Sequence, residues 1–165
     1  MNKLVKLYDV LTKGVLDRLQ HPFLLLIRAY WGWEFFQTGL GKLRDIGKVV
    51  TFFTELGIPA PTANAYFVAS LECFGGLLLL VGLASRLITI PLTINMIVAY
   101  LTADRDAVVG IFKDQEPFFQ AAPFLFLFAS VIVLLFGPGV FSLDWIIGKI
   151  VRKKESETTA VKAAA

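Results

Sequence analysis

The stretch Leu71-Glu72-Cys73-Phe74-Gly75-Gly76-Leu77-Leu78-Leu79-Leu80-Val81-Gly82-Leu83 decides the solvent in which this chain folds. It closes an apolar run over residues 64–83 in which Glu72 is the only charge, and ~20 such residues in a helix match the ~30 Å hydrocarbon core of a bilayer. Downstream, the runs 87–103 and 117–136 contain no Asp, Glu, Lys or Arg. Upstream, the run 22–41 carries Arg28 and Glu34, yet its length and aromatic content favour spanning. These runs predict an all-α integral membrane protein, a four-helix bundle in lipid. A hydrophobic fraction of 56% in 165 residues exceeds what a soluble domain of that size needs.

The flanks predict three regions. Leu4, Leu7, Leu11, Val15 and Leu19 at helical spacing, interleaved with Lys3, Lys6, Lys13 and Arg18, make residues 1–21 an amphipathic interfacial helix. Residues 22–147 form the membrane domain, and residues 148–165 a basic, disordered cytoplasmic tail. No cleavable signal is expected, because the first long apolar run begins only after His21-Pro22. Between the first two spans, Ile46, Val49, Val50, Phe53 and Leu56 predict a short interfacial helix that stops at Gly57-Ile58-Pro59. Residues 104–116 read as a polar loop. Lys and Arg outside the spans divide ten against five in favour of the side that holds both ends, so both termini are expected in the cytoplasm.

The formal charge of +3 does not point to nucleic acid, since the cations lie at the ends and between apolar runs with no basic face. Cys73 is the sole cysteine, which excludes an internal disulfide or a CxxC redox pair. His21 alone cannot supply paired haem ligands or a metal site, and it reads as a solvated residue at the membrane boundary. No metal is expected, no cofactor motif is evident, and the lipid bilayer is the first partner.

Ionisable residues inside a span are expensive in hydrocarbon, which makes Arg28, Glu34 and Glu72 the first candidates for a polar intramembrane site, with Asn95 joining them by depth. Small residues Ala65, Ala69, Gly75, Gly76 and Gly82 lie near the Glu72 face and turn it into the bundle. Arg28, Gly32, Phe35, Gly39 and Lys42 share a stripe on the first helix, so Arg28 also faces inward. The expected contact is a buried Arg28–Glu72 ion pair, whose structural alternative is simply to fix helix register. Glu34 lies about 120° round the helix from Arg28 and faces a different neighbour or a water-filled pocket. Lys42 is expected to snorkel to headgroups, and Asn95, one turn after Pro91, to serve packing. Trp31 and Trp33 are expected to pack or to face lipid rather than to stack a cofactor.

Taken in order, Arg28, Gly39-Leu40-Gly41-Lys42, Leu56-Gly57-Ile58-Pro59-Ala60-Pro61, the Glu72-Cys73-Phe74-Gly75-Gly76 run with Arg86, and Gly137-Pro138-Gly139 before Ser142-Leu143-Asp144 resemble the DoxX family over about residues 22–145. That resemblance covers Gly39, Gly41, Lys42, Gly75, Gly76 and Arg86 beside Arg28 and Glu72. It implies a multi-pass protein of the bacterial inner membrane, related to the DoxD membrane subunit of thiosulfate:quinone oxidoreductases. A quinone and a redox partner subunit are the ligand and partner it implies, and a homo-oligomer stands open beside them. Two functions stand open: a membrane subunit of a quinone-linked oxidoreductase, or a non-catalytic scaffold or small-molecule carrier whose buried charges are structural.

Overall fold

The computed structural model of the protein describes Val5, Tyr8 and residues 10–164, and every regular element among them is helical. A π-helical stretch, Val10–Leu16, leads into α1 (Asp17–Arg44), followed by α2 (Ile46–Glu55), α3 (Pro61–Val81) and α4 (Ser85–Thr102). Then come α5 (Arg105–Gly110), α6 (Glu116–Gln120), α7 (Pro123–Phe136) and α8 (Leu143–Ala164). Helices α3 and α4 are long and apolar enough to cross a membrane. Helix α1 packs against α3, α3 against α4, α4 against α7, and α7 against α1. Phe35, Leu79, Leu92, Met96 and Val133 meet in the core between these four.

The helix does not break at His21-Pro22. Helix α1 runs unbroken for 28 residues, about 42 Å, with Pro22 inside it at the cost of one backbone hydrogen bond. Much of the expected amphipathic helix, including Leu4 and Leu7, lies outside the described residues. The expected span 117–136 is also divided. Ala121 is extended, and Pro123, lacking an N–H, starts α7 afresh, leaving a helix of 14 residues. The hydroxyl of Tyr100 donates to the Phe118 carbonyl at 2.7 Å and the two rings stack, which ties α6 to the end of α4. The loop 104–116 is partly helical, as α5. The tail, for which composition suggested disorder, continues as α8 to Ala164; its Ala, Lys and Glu residues are strong helix formers.

Helices α1 and α3 cross at backbone contact. A β-carbon on Gly32 would lie 2.7 Å from the Leu80 nitrogen, and one on Gly39 or Gly76 would run into the opposite helix's main chain at Cys73 or Phe36. In lipid, where apolar burial drives helices together only weakly, such close approach supplies the packing energy. Helices α2 and α3 each end in a left-handed glycine. Gly57 (φ 69°) closes α2, with the Ile58 N–H reaching back to Phe53 at 2.9 Å; Gly82 (φ 75°) closes α3, with the Leu83 N–H on Leu78 at 3.0 Å. Large apolar side chains such as Phe67, Phe74, Ile94 and Phe128 face outward, a surface suited to lipid.

Candidate functional site

The register of the α1–α3 crossing decides which polar groups meet. Gly39 sits over Ala69 and Cys73, and Gly32 over Gly76 and Leu80, in antiparallel sense. Glu72 is therefore level with about residue 38 of α1, roughly one turn from Lys42 and nearly three turns from Arg28. The expected Arg28–Glu72 ion pair does not form, for this geometric reason.

Glu72 instead receives Lys42. The Lys42 Nζ donates to Glu72 Oε1 at 2.6 Å and to Oε2 at 2.5 Å, and Asn95 Nδ2 adds a bond to Oε1 at 3.0 Å. Three helices, α1, α3 and α4, each contribute one group. The Glu72 side chain is 2% exposed and that of Lys42 34%, so the pair runs from the protein interior to its surface. Lys42 does not reach for headgroups, and Asn95, grouped with Glu72 by depth, does more than pack beside Pro91; both turn to the carboxylate, the strongest acceptor within reach and one whose isolation in hydrocarbon would cost several kcal/mol. Two of the three ammonium protons are used. Among the described residues, the Asn95 carbonyl makes no hydrogen bond.

Arg28 occupies a separate site at the other end of the crossing. It is 1% exposed, and its Nη1 and Nη2 donate to the carbonyls of Pro138 at 3.2 Å and Phe141 at 2.5 Å. The guanidinium fills the space beside Gly82. Sequence reasoning found Arg28 buried but missed what surrounds it. Ser142 Oγ donates to Gly139 at 2.7 Å and accepts the Trp145 N–H at 3.2 Å, starting α8. Asp144 accepts the N–H groups of Ala84 at 2.7 Å and Ser85 at 2.8 Å, capping α4 from across the fold. The Ser142-Leu143-Asp144 pattern carried the signal: a hydroxyl and a carboxylate just after a Gly-Pro-Gly break are capping residue types. This end of the molecule is a structural lock.

Glu34 joins neither group. It is half-buried, and its carboxylate makes no hydrogen bond or ion pair among the described residues. Trp31 packs edge-on against Phe126 with centroids 5.0 Å apart, and Trp33 is largely exposed beside Phe36. Gly75 packs beside Leu92 and Ile88, while Gly41 faces open space. His21 is half-buried rather than freely solvated, and its Nδ1 is buried without a partner. Outside the helical crossing, the Lys48 ammonium 2.5 Å from Asp45 holds that carboxyl below the usual aspartate range.

Comparison with known proteins matches the DoxX family model over residues 23–105. A Bacillus subtilis protein named "Putative oxidoreductase CatD" is 32% identical over 127 residues, covering 76% of this chain and 87% of that protein. A Mycobacterium tuberculosis protein named "Uncharacterized membrane protein Rv3486" is 32% identical over 135 residues, covering 78% of this chain and 83% of that protein. No solved structure matches. The matched region contains the glycine-lined crossing and all of the Lys42–Glu72–Asn95 cluster, and with relatives aligned over three quarters of its length the chain belongs to the DoxX family of membrane proteins.

Proposed function

We propose that the protein is a multi-pass membrane subunit of a quinone-linked oxidoreductase in the bacterial inner membrane, with both termini cytoplasmic and a partner subunit supplying the redox centre. In this reading α1, α3, α4 and the α6–α7 pair are four spans, and the Lys42–Glu72–Asn95 cluster is the polar intramembrane site. The observation that carries it is the join between a buried carboxylate and a lysine that is one-third exposed, which gives a ligand in the bilayer lateral access to a polar group. The unused Lys42 N–H suits a quinone carbonyl, and Glu72 and the free Asn95 carbonyl suit a quinol hydroxyl. Quinone reduction takes two electrons and two protons; the electrons come from the partner, and this chain holds and orients the head. The name of the Bacillus subtilis relative points the same way.

A second reading has its own support. Both Glu72 oxygens are already engaged by Lys42, the arrangement expected of a charge pair that only fixes helix register in a non-catalytic scaffold or small-molecule carrier. The two readings separate in nanodiscs. Quenching of tryptophan fluorescence by a short-chain quinone should saturate for the wild type and be lost in folded Glu72→Gln and Lys42→Met variants. Absence of saturable quenching in the wild type, or quenching unchanged in both variants, leaves the scaffold.

A further inference from the structure

Where α1 begins, α4 begins and α7 ends, a pocket of 670 Å³ opens beside the Gly137-Pro138-Gly139 turn, with His21, Arg86, Asp144 and Trp145 among its walls. Its polar groups are unevenly satisfied. Arg86 lies against Gly137, where any side chain would crowd its guanidinium, and its Nη2 donates to the Leu135 carbonyl at 3.1 Å. Its other N–H groups make no hydrogen bond among the described residues. His21 Nδ1 is buried and unpaired. The carboxylate on the wall, Asp144, is committed to the Ala84 and Ser85 amides. Lys149, outside the lining, holds its Nζ 3.9 Å from the centre of the Trp145 ring, and Arg152, Lys153 and Lys154 follow one turn later on α8.

Phe136, on the wall of this pocket, also lines a second groove of 430 Å³ that exposes only apolar surface, with Gln20 at one side, and runs between Phe23 and Leu24 of α1 and Phe128, Ile132 and Leu135 of α7. A pocket whose arginine keeps unused N–H groups, sharing Phe136 with a dry groove along the helices, suits an amphiphile with an anionic head. The geometry points to a specific site for an anionic glycerophospholipid. Its phosphate lies against Arg86 and His21, and one acyl chain lies in the α1–α7 groove. A cation beside an anionic headgroup contributes about 1 kcal/mol, which is roughly fivefold in affinity. Neither the pocket nor the groove shares a residue with the Lys42–Glu72–Asn95 cluster, so the site stands whether or not that cluster binds a quinone.

The test uses the full chain in neutral detergent, with lipid retention read by native mass spectrometry during titration with phosphatidylglycerol or phosphatidylcholine of matched chains. The wild type is expected to retain one phosphatidylglycerol in preference to phosphatidylcholine. Arg86→Gln should reduce that preference roughly fivefold, and His21→Phe should reduce it also. Ile132→Trp, which fills the groove and leaves the cations in place, should weaken retention of both lipids, and serves if the Arg86 variant does not fold. Equal retention of the two lipids by the wild type would overturn the assignment. So would a preference that survives Arg86→Gln and His21→Phe but disappears when Arg152, Lys153 and Lys154 are neutralised, the mark of a diffuse basic tail. Displacement of the retained lipid by millimolar inorganic phosphate would instead assign the pocket to free phosphate.

Discussion

The guanidinium of Arg28 hydrogen-bonds the carbonyl of Phe141 at 2.5 Å, joining residues 113 positions apart and closing the turn after α7 onto α1. With Pro138 as its second acceptor, Arg28 satisfies main-chain groups of a Gly-Pro-Gly turn that cannot satisfy themselves. Replacing Arg28 by Met removes both bonds and leaves two carbonyls unpaired, at a cost of about 3 kcal/mol or more. Thermal unfolding in nanodiscs should show the loss, and Arg28→Lys should recover only part of it, since one ammonium lacks the planar fork that reaches both carbonyls.

Substitutions at Gly39, Gly82 and Gly41 should divide sharply. Gly39→Ala drives a methyl into the backbone of α3, and Gly82→Ala both meets the Arg28 guanidinium and sits at φ 75°. Each should lower stability by several kcal/mol or abolish accumulation in the membrane. Gly41 has open space around its Cβ position, so Gly41→Ala should be neutral or stabilise α1 by up to ~1 kcal/mol. Expression level and melting temperature of the three variants check the contrast.

Lys42 and Glu72 should be strongly and asymmetrically coupled. Lys42→Met strands a carboxylate whose side chain is 2% exposed, whereas Glu72→Gln frees a lysine that is already 34% exposed and able to turn outward. The lysine variant should therefore be the less stable of the two, and a double-mutant cycle should give a coupling of about 1–3 kcal/mol. Equal losses with no coupling would contradict the pairing.

Asp144 should act on the start of α4 rather than on its own helix. Asp144→Ala removes the acceptor for the Ala84 and Ser85 amides and should destabilise the protein by about 1–2 kcal/mol. Hydrogen exchange should speed up at those two amides before it does in the α3–α4 core.

At the corner between α1 and α2, Lys48 holds the Asp45 carboxyl below its ordinary range, through a hydrogen bond first and charge second. A depressed carboxyl stabilises the fold above its unfolded pKa, and that contribution fades as pH falls through the folded value. Both groups are well exposed, so the effect on stability is slight and salt-sensitive. Titration of Asp45 by NMR should give a midpoint below that of an ordinary aspartate, and Lys48→Met should restore it.

Composition and periodicity alone determined that the chain is helical and apolar enough for lipid, and which faces are buried: Arg28, Gly32, Phe35 and Gly39 on α1, and Ala65, Ala69, Glu72 and Gly76 on α3, all lie inside. Periodicity reports the direction of a side chain around its helix and says nothing of how far one helix slides along another. That offset is decided where Gly39 meets Ala69 and Cys73 at backbone contact, and it gave Glu72 to Lys42 rather than Arg28. Arg28's partners escaped for a related reason. They are main-chain carbonyls, which every residue carries and no sequence pattern marks, brought within reach only when the turn after α7 folds back over α1.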